Sequence, residues 1–172
     1  MAVRLILAAV LLAGCASGSD GRAPGGVLDE AGFWQLVDQA AQQGGPAVDD
    51  RGAVMTRLLS DAPVERVRSW QQQLVLLDAR LSTRATAAAF ARVCGEPLDP
   101  DAFATARTWV VVQGKAAYER VVTDPTDLPP TEGLCDGSAG GFQDAAVVRY
   151  SALGFDAGDG AFPVVDEAPP VR

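Results

Sequence analysis

Residues 99–129 read DPDAFATARTWVVVQGKAAYERVVTDPTDLP, and this stretch decides the fold class. Asp99 can cap the N-terminus of a helix that begins at Pro100. Proline is tolerated at this first position, because the N–H group that it lacks would have no partner there. The stretch then carries apolar side chains at helical spacing, which are Phe103, Ala106, Trp109 and Val110. Side chains three and four residues apart lie on one face of a helix, so the pattern predicts an amphipathic helix that faces a core.

A second helix is predicted directly after the first. Gly114 predicts a stop or a sharp bend, and the helical pattern resumes over residues 115–123. Asp124-Pro125 then ends the second helix, because the residue before a proline disfavours the helical conformation.

Helical periodicity extends over most of the chain. Asp29 predicts the start of a helix that Gly44-Gly45 ends. The most regular apolar seam consists of Val67, Trp70, Leu74, Leu77 and Leu81. Three more helices are predicted over residues 48–59, 85–93 and about 142–153. Since the alternation typical of strands is nearly absent, we predict an all-α fold, a single compact bundle of six or seven helices.

The first 15 residues have the features of a bacterial export signal. Arg4 supplies one positive charge, and residues 5–12 form an apolar run that is too short to span a bilayer. The tetrapeptide Leu12-Ala13-Gly14-Cys15 resembles the lipobox, in which the cysteine is acylated and becomes the first residue after cleavage. An ordinary secretory signal with a chance cysteine is the alternative. We expect lipidation at Cys15, because its position, the preceding residues and the following linker agree.

The expected organisation therefore has four segments. Residues 1–15 are the lipoprotein signal peptide and lipobox, and residues 16–27 are a flexible tether rich in Gly and Ser. Residues 28–154 form the helical domain, and residues 155–172, with three prolines, form a disordered, mobile tail. This organisation predicts a protein that is exported and anchored by lipid to the outer face of the bacterial cell membrane.

Charge and composition exclude several classes of function. The chain has 22 acidic and 14 basic residues, a net charge of −8, and loss of Arg4 with the signal peptide leaves a net charge of −9. A nucleic-acid partner is not expected, since such a protein needs clustered Lys and Arg. Histidine is absent, which removes catalysis by an imidazole base and most zinc sites. We expect no metal and no cofactor.

Two parts of the chain resemble the DUF4240 family, a domain of unknown function. The segment 29–38, DEAGFWQLVD, is similar to the family's opening helix with its Phe-Trp pair. The residues that resemble the central signature are Cys94, Asp101, Phe103, Arg107, Trp109, Gln113-Gly114, Tyr118-Glu119 and Asp124-Pro125. The resemblance covers about residues 28–153 and implies an all-helical domain, with no known reaction. The chain departs from the family pattern in a longer loop after Cys94, in Ala106 where an aromatic residue is usual, and in a glycine-rich C-terminal part.

Cys94 and Cys135 are the cysteines that remain once Cys15 is lipidated. In an oxidising compartment, two remaining thiols favour a disulfide. The alternative is a pair of buried free cysteines that pack as small apolar side chains.

Asp101, Arg107 and Trp109 are candidates for a binding or a structural role. Arg107 lies one helical turn after Phe103, with Asp99 and Asp101 near the helix start. A structural ion pair is the favoured role of Arg107, and binding of an anionic ligand is the alternative. We expect Trp109 to be a core residue, and a place in a ligand-binding aromatic cage is the less favoured alternative. No catalytic residue is predicted.

Two hypotheses of function remain. The first is a membrane-anchored protein- or peptide-binding module at the cell envelope, whose acidic charge favours a basic partner. The second is an enzyme that uses paired carboxylates, since Asp and Glu can do acid–base chemistry without histidine. A pocket with carboxyl groups of strongly raised pKa would favour the enzyme, and a broad acidic or apolar surface would favour the binding module.

Overall fold

The computed structural model of the protein describes residues 26–158 and 160–163. Within them the chain forms seven helices and no β-strand, which confirms the predicted all-α class and compact bundle. The helices are α1 (Glu30–Gly44), α2 (Val48–Leu59), α3 (Val64–Leu81), α4 (Arg84–Cys94), α5 (Pro100–Val112), α6 (Lys115–Thr123) and α7 (Gly140–Ala152). Every helix in these residues is too short or too polar to cross a bilayer. The predicted lipobox, Cys15 and nearly all of the predicted tether lie outside the described residues.

Local capping signals set the helix ends. Asp29 Oδ1 accepts a hydrogen bond from Gly32 N at 2.7 Å, and Asp99 Oδ1 accepts one from Ala102 N at 2.8 Å. Gly114, with a φ of 95°, separates α5 from α6. The two aspartates satisfy N–H groups that the first turn of a helix leaves without a partner, as the sequence predicted.

Helix α5 forms the centre of the bundle. Nine of its 13 residues are buried, and they include Phe103, Arg107 and Trp109. Helix α3 packs against both α5 and α7. The five residues of its predicted apolar seam are each at most 3% exposed. The two most regular patterns of the sequence therefore face each other in one core.

Helices α2 and α7 cross at very short range. A Cβ atom at Gly52 would lie 2.9 Å from Phe142 N and 3.0 Å from Gly141 C. Such distances are repulsive, so only glycine at this position allows the two backbones to approach so closely.

Two basic side chains join helices that are distant in sequence. Arg51 Nε donates to Gly45 O at 2.7 Å and Arg51 Nη1 donates to Val112 O at 3.0 Å, so one guanidinium group caps the C-terminal ends of α1 and α5. Lys115, the only lysine of the chain, has its Nζ atom 3.8 Å from Glu30 Oε1 at the start of α1.

Packing continues past residue 154, where the domain was expected to end. Phe155 stacks on the Tyr150 ring with centroids 5.0 Å apart. Phe162 packs on the same ring at 4.5 Å and is 3% exposed. Arg68 Nη2 donates to Tyr150 Oη at 2.6 Å and so holds this ring in place. The two phenylalanines therefore belong to the folded domain, because the Tyr150 ring offers them apolar surface, and the tail after residue 163 lies outside the described residues.

We expect Gly52→Ala to lower the free energy of unfolding by about 1–3 kcal/mol, because the new methyl group overpacks the contact between α2 and α7. Gly141→Ala is the matched control, since no atom of another helix lies within 4 Å of its added Cβ. This control is expected to be neutral or to stabilise the protein by up to about 1 kcal/mol, because alanine favours a helix. Urea unfolding measures the free energy of unfolding of both variants. Equal effects of the two substitutions would contradict the close packing at Gly52.

Candidate binding site

A cleft of about 280 Å³ opens at the end of the bundle where α1 leads into α2. Its walls come from the α1–α2 connection, the first turn of α2 and the loop between α6 and α7. The lining residues are Pro46, Ala47, Val48, Asp49, Glu132, Gly133, Asp136 and Ser138. Three of them are acidic and none is basic, so the cleft has a negative lining.

The first wall is the start of α2. Asp49 and Asp50 lie in the first turn of this helix, where negative charge interacts favourably with the helix dipole. Asp49 therefore supports α2 and also lines the cleft. The next basic residue along the helix, Arg51, directs its Nε and Nη1 atoms to two carbonyl oxygens at helix ends and is not a lining residue of the cleft.

The second wall is a loop that Trp109 holds in place. Trp109 Nε1 donates to Glu132 O at 3.0 Å, and the adjacent Leu134 is buried. Ser138 Oγ donates to Gly133 O at 2.9 Å, and Ser138 N donates to Asp136 Oδ1, also at 2.9 Å. Glu132 and Asp136 are exposed. The loop thus presents two carboxylates to solvent from a backbone that is fixed at several points.

Cys94 and Cys135 form a disulfide in the structure, with Cα atoms 5.7 Å apart. The bond joins the last residue of α4 to the loop between α6 and α7, across 41 residues of sequence. Cys135 adjoins Asp136, a lining residue of the cleft. The structure therefore places this predicted pair beside the cleft.

Asp101, Arg107 and Trp109 occupy three different environments. Asp101 is exposed in the first turn of α5. Arg107 is buried in the core, and its Nε atom lies 3.0 Å from Asp78 Oδ2 of α3. Trp109 is buried and reaches the cleft only through its bond to the Glu132 carbonyl oxygen. The three side chains therefore do not form one site.

Asp78 is the residue that the sequence reasoning did not identify. Its side chain is 2% exposed and accepts a hydrogen bond from Thr108 Oγ1 at 3.3 Å. Burial raises the pKa of Asp78 to about 7, while the Arg107 guanidinium and the Thr108 hydroxyl oppose this rise. One signal was present: Asp78 lies four residues after Leu74 and three before Leu81, on the apolar face of α3, where a charge requires a buried partner.

The family profile described as "Protein of unknown function (DUF4240)" matches residues 28–153. The chain belongs to the DUF4240 family. Comparisons with curated proteins and with solved structures find no match to this DUF4240 chain.

The residues that resemble the DUF4240 signature have structural contacts in this chain. Tyr118 Oη donates to Leu77 O at 2.9 Å and links α6 to α3. The Arg107 guanidinium lies over the Phe103 ring at 4.8 Å. Trp109 holds the loop of the cleft, so it is the signature residue that connects the DUF4240 core to the candidate site. These contacts support the packing of the helices.

We expect Arg107→Met to make the free energy of unfolding depend more strongly on pH above 7. Loss of the guanidinium raises the pKa of Asp78 further above its unfolded value of about 3.9. A carboxyl group whose pKa is raised in the folded state favours folding at low pH, and this contribution is lost as the pH rises through the folded pKa. The free energy of unfolding of Arg107→Met should therefore fall further below that of wild type between about pH 7 and 9, by at most about 1.4 kcal/mol per pH unit.

The control is Arg107→Met in an Asp78→Asn background, where no carboxyl group is left to titrate. Urea unfolding at a series of pH values compares wild type with Arg107→Met, and Asp78→Asn with the double variant. If the loss of unfolding free energy in Arg107→Met does not change with pH, the coupling of Arg107 to Asp78 is contradicted.

Proposed function

We propose that this chain is a lipid-anchored binding module of the cell envelope that takes basic protein or peptide segments into its acidic cleft. The observation that carries the proposal is the lining of the cleft, where Asp49, Glu132 and Asp136 converge with no basic residue among them. Carboxylates and guanidinium groups form charge-assisted hydrogen bonds, so arginine is the side chain that such a lining suits best.

The size of the cleft supports a side-chain ligand. Its volume of about 280 Å³ lies just below the range for small-molecule pockets, roughly 300–1,000 Å³. A long side chain on an extended segment fits this volume better than a large cofactor does. The net charge of −9 that remains after loss of Arg4 with the signal peptide adds long-range attraction for basic partners and raises their association rate.

The N-terminal sequence supports the cellular location in this proposal. An acylated Cys15 followed by the Gly/Ser-rich tether would hold the domain in a shallow zone above the outer leaflet. The acidic domain would be repelled by anionic headgroups there, which leaves the cleft free for partners in the envelope.

Asp78 does not favour the enzyme hypothesis. It has the raised pKa that an acid–base catalyst needs, but its side chain is 2% exposed and it is not a lining residue of the cleft. A substrate would have to enter the packed interface of α3 and α5 to reach it. We therefore do not propose a reaction.

We expect a fluorescein-labelled peptide with four arginines separated by glycines to bind the chain, and the same peptide with citrulline at those positions to bind far less. Citrulline has nearly the shape of arginine without its charge. The double substitution Glu132→Gln and Asp136→Asn should weaken binding about five- to tenfold, as expected for loss of two partly exposed charge pairs. Fluorescence anisotropy measures the affinity, which should fall as salt rises.

Asp61→Asn with Glu65→Gln is the matched control, because it removes the same charge from exposed residues beyond the other end of α2. This control should change the affinity less than twofold. Equal losses in the two double variants would show that net charge alone attracts the peptide, and the cleft would then not be its site.

We expect Cys15→Ser to abolish incorporation of a radiolabelled fatty acid and retention in the membrane fraction. The thiol is the nucleophile for lipid transfer, and a hydroxyl group does not replace it. Metabolic labelling of cells that express each form measures this directly. Unchanged labelling of the variant would overturn the lipid anchor.

A further inference from the structure

We propose that the Cys94–Cys135 disulfide is a redox control on the acidic cleft: the oxidised chain binds basic segments, and reduction weakens this binding. The inference rests on the proposed function, since it concerns the affinity of the same cleft. It assigns to the disulfide an effect on ligand affinity in addition to its effect on stability.

The position of the bond supports this role. The loop between α6 and α7 has no helix and supplies four of the eight lining residues, Glu132, Gly133, Asp136 and Ser138. Cys135 lies in the middle of these four residues, one position before Asp136. A displacement of Cys135 therefore displaces the adjacent Asp136 and its carboxylate.

The other fixed points around the cleft are weaker. Trp109 holds Glu132 by one hydrogen bond, and Leu134 contributes its buried side chain. The bonds of Ser138 to Gly133 and Asp136 lie within the loop and do not attach it to a helix. The disulfide is the covalent link between the lining loop and α4. Without it, the segment after Leu134 gains freedom that a ligand must remove on binding.

The two residues of the bond differ in exposure, and Cys135 is the one that faces solvent more. Cys135 is exposed and Cys94 is half-buried. A thiolate of a dithiol reductant attacks the sulfur of Cys135, and the sulfur of Cys94 leaves with the electron pair and takes up a proton. The second thiol of the reductant then attacks the mixed disulfide and releases Cys135 as a thiol. Two electrons and two protons pass to the chain, and the reductant becomes a disulfide.

The test measures binding of the arginine–glycine peptide to the full chain before and after reduction with dithiothreitol. Reduction is expected to weaken binding about tenfold, the effect of freeing roughly one backbone residue. The double variant Cys94→Ser, Cys135→Ser should bind as weakly as the reduced chain and should not respond to dithiothreitol. Hydrogen–deuterium exchange should rise in residues 132–138 on reduction, with α1 and α2 unchanged.

The outcomes separate this inference from the proposed function. Equal binding by the oxidised and reduced chains would overturn the redox control and leave the cleft as a binding site. Absence of binding in both states would overturn the proposed function and the redox control together. A rise in exchange across all helices would also overturn the redox control, because the disulfide would then act by holding the whole fold.

Discussion

The buried ion pair between Asp78 and Arg107 constrains the whole bundle. Each charge loses its hydration on folding, and the interior recovers that cost only if the two groups meet in good geometry. Helices α3 and α5 must therefore pack in one relative position, with Nε and Oδ2 3.0 Å apart. Because α5 is the central helix, that position also fixes Trp109, whose indole N–H donates to the Glu132 carbonyl oxygen at one edge of the cleft.

Features set by neighbouring residues could be predicted from the sequence, and features set by long-range contacts could not. The caps at Asp29 and Asp99 and the break at Gly114 depend on side chains within three residues, so they were visible. The partner of Arg107 lies 29 positions earlier and on another helix, so spacing along α5 could not reveal it. The cleft was missed for the same reason, since Asp49 and Glu132 come from distant parts of the chain.

The residues that resemble the family signature lie in the core, whereas the candidate site lies at the surface. Tyr118 and Arg107, which resemble positions of the family signature, form contacts in the core of this chain. The acidic residues Glu132 and Asp136 lie in a surface loop, where substitutions cost little stability. A substitution in this loop can therefore change the acidic lining of the cleft and leave the core contacts in place.

The single lysine has a practical consequence for work on this protein. Lys115 lies beside Glu30 at the first turn of α1, whereas the cleft begins just beyond the last turn. Helix α1 has 15 residues, which corresponds to a length of about 22 Å. When the α-amino group is blocked, amine-directed chemistry will therefore place a dye or a sensor-chip linkage at one defined point, on the opposite end of α1 from the cleft. A molecule immobilised in this way presents its acidic face to the solution without any engineered attachment site.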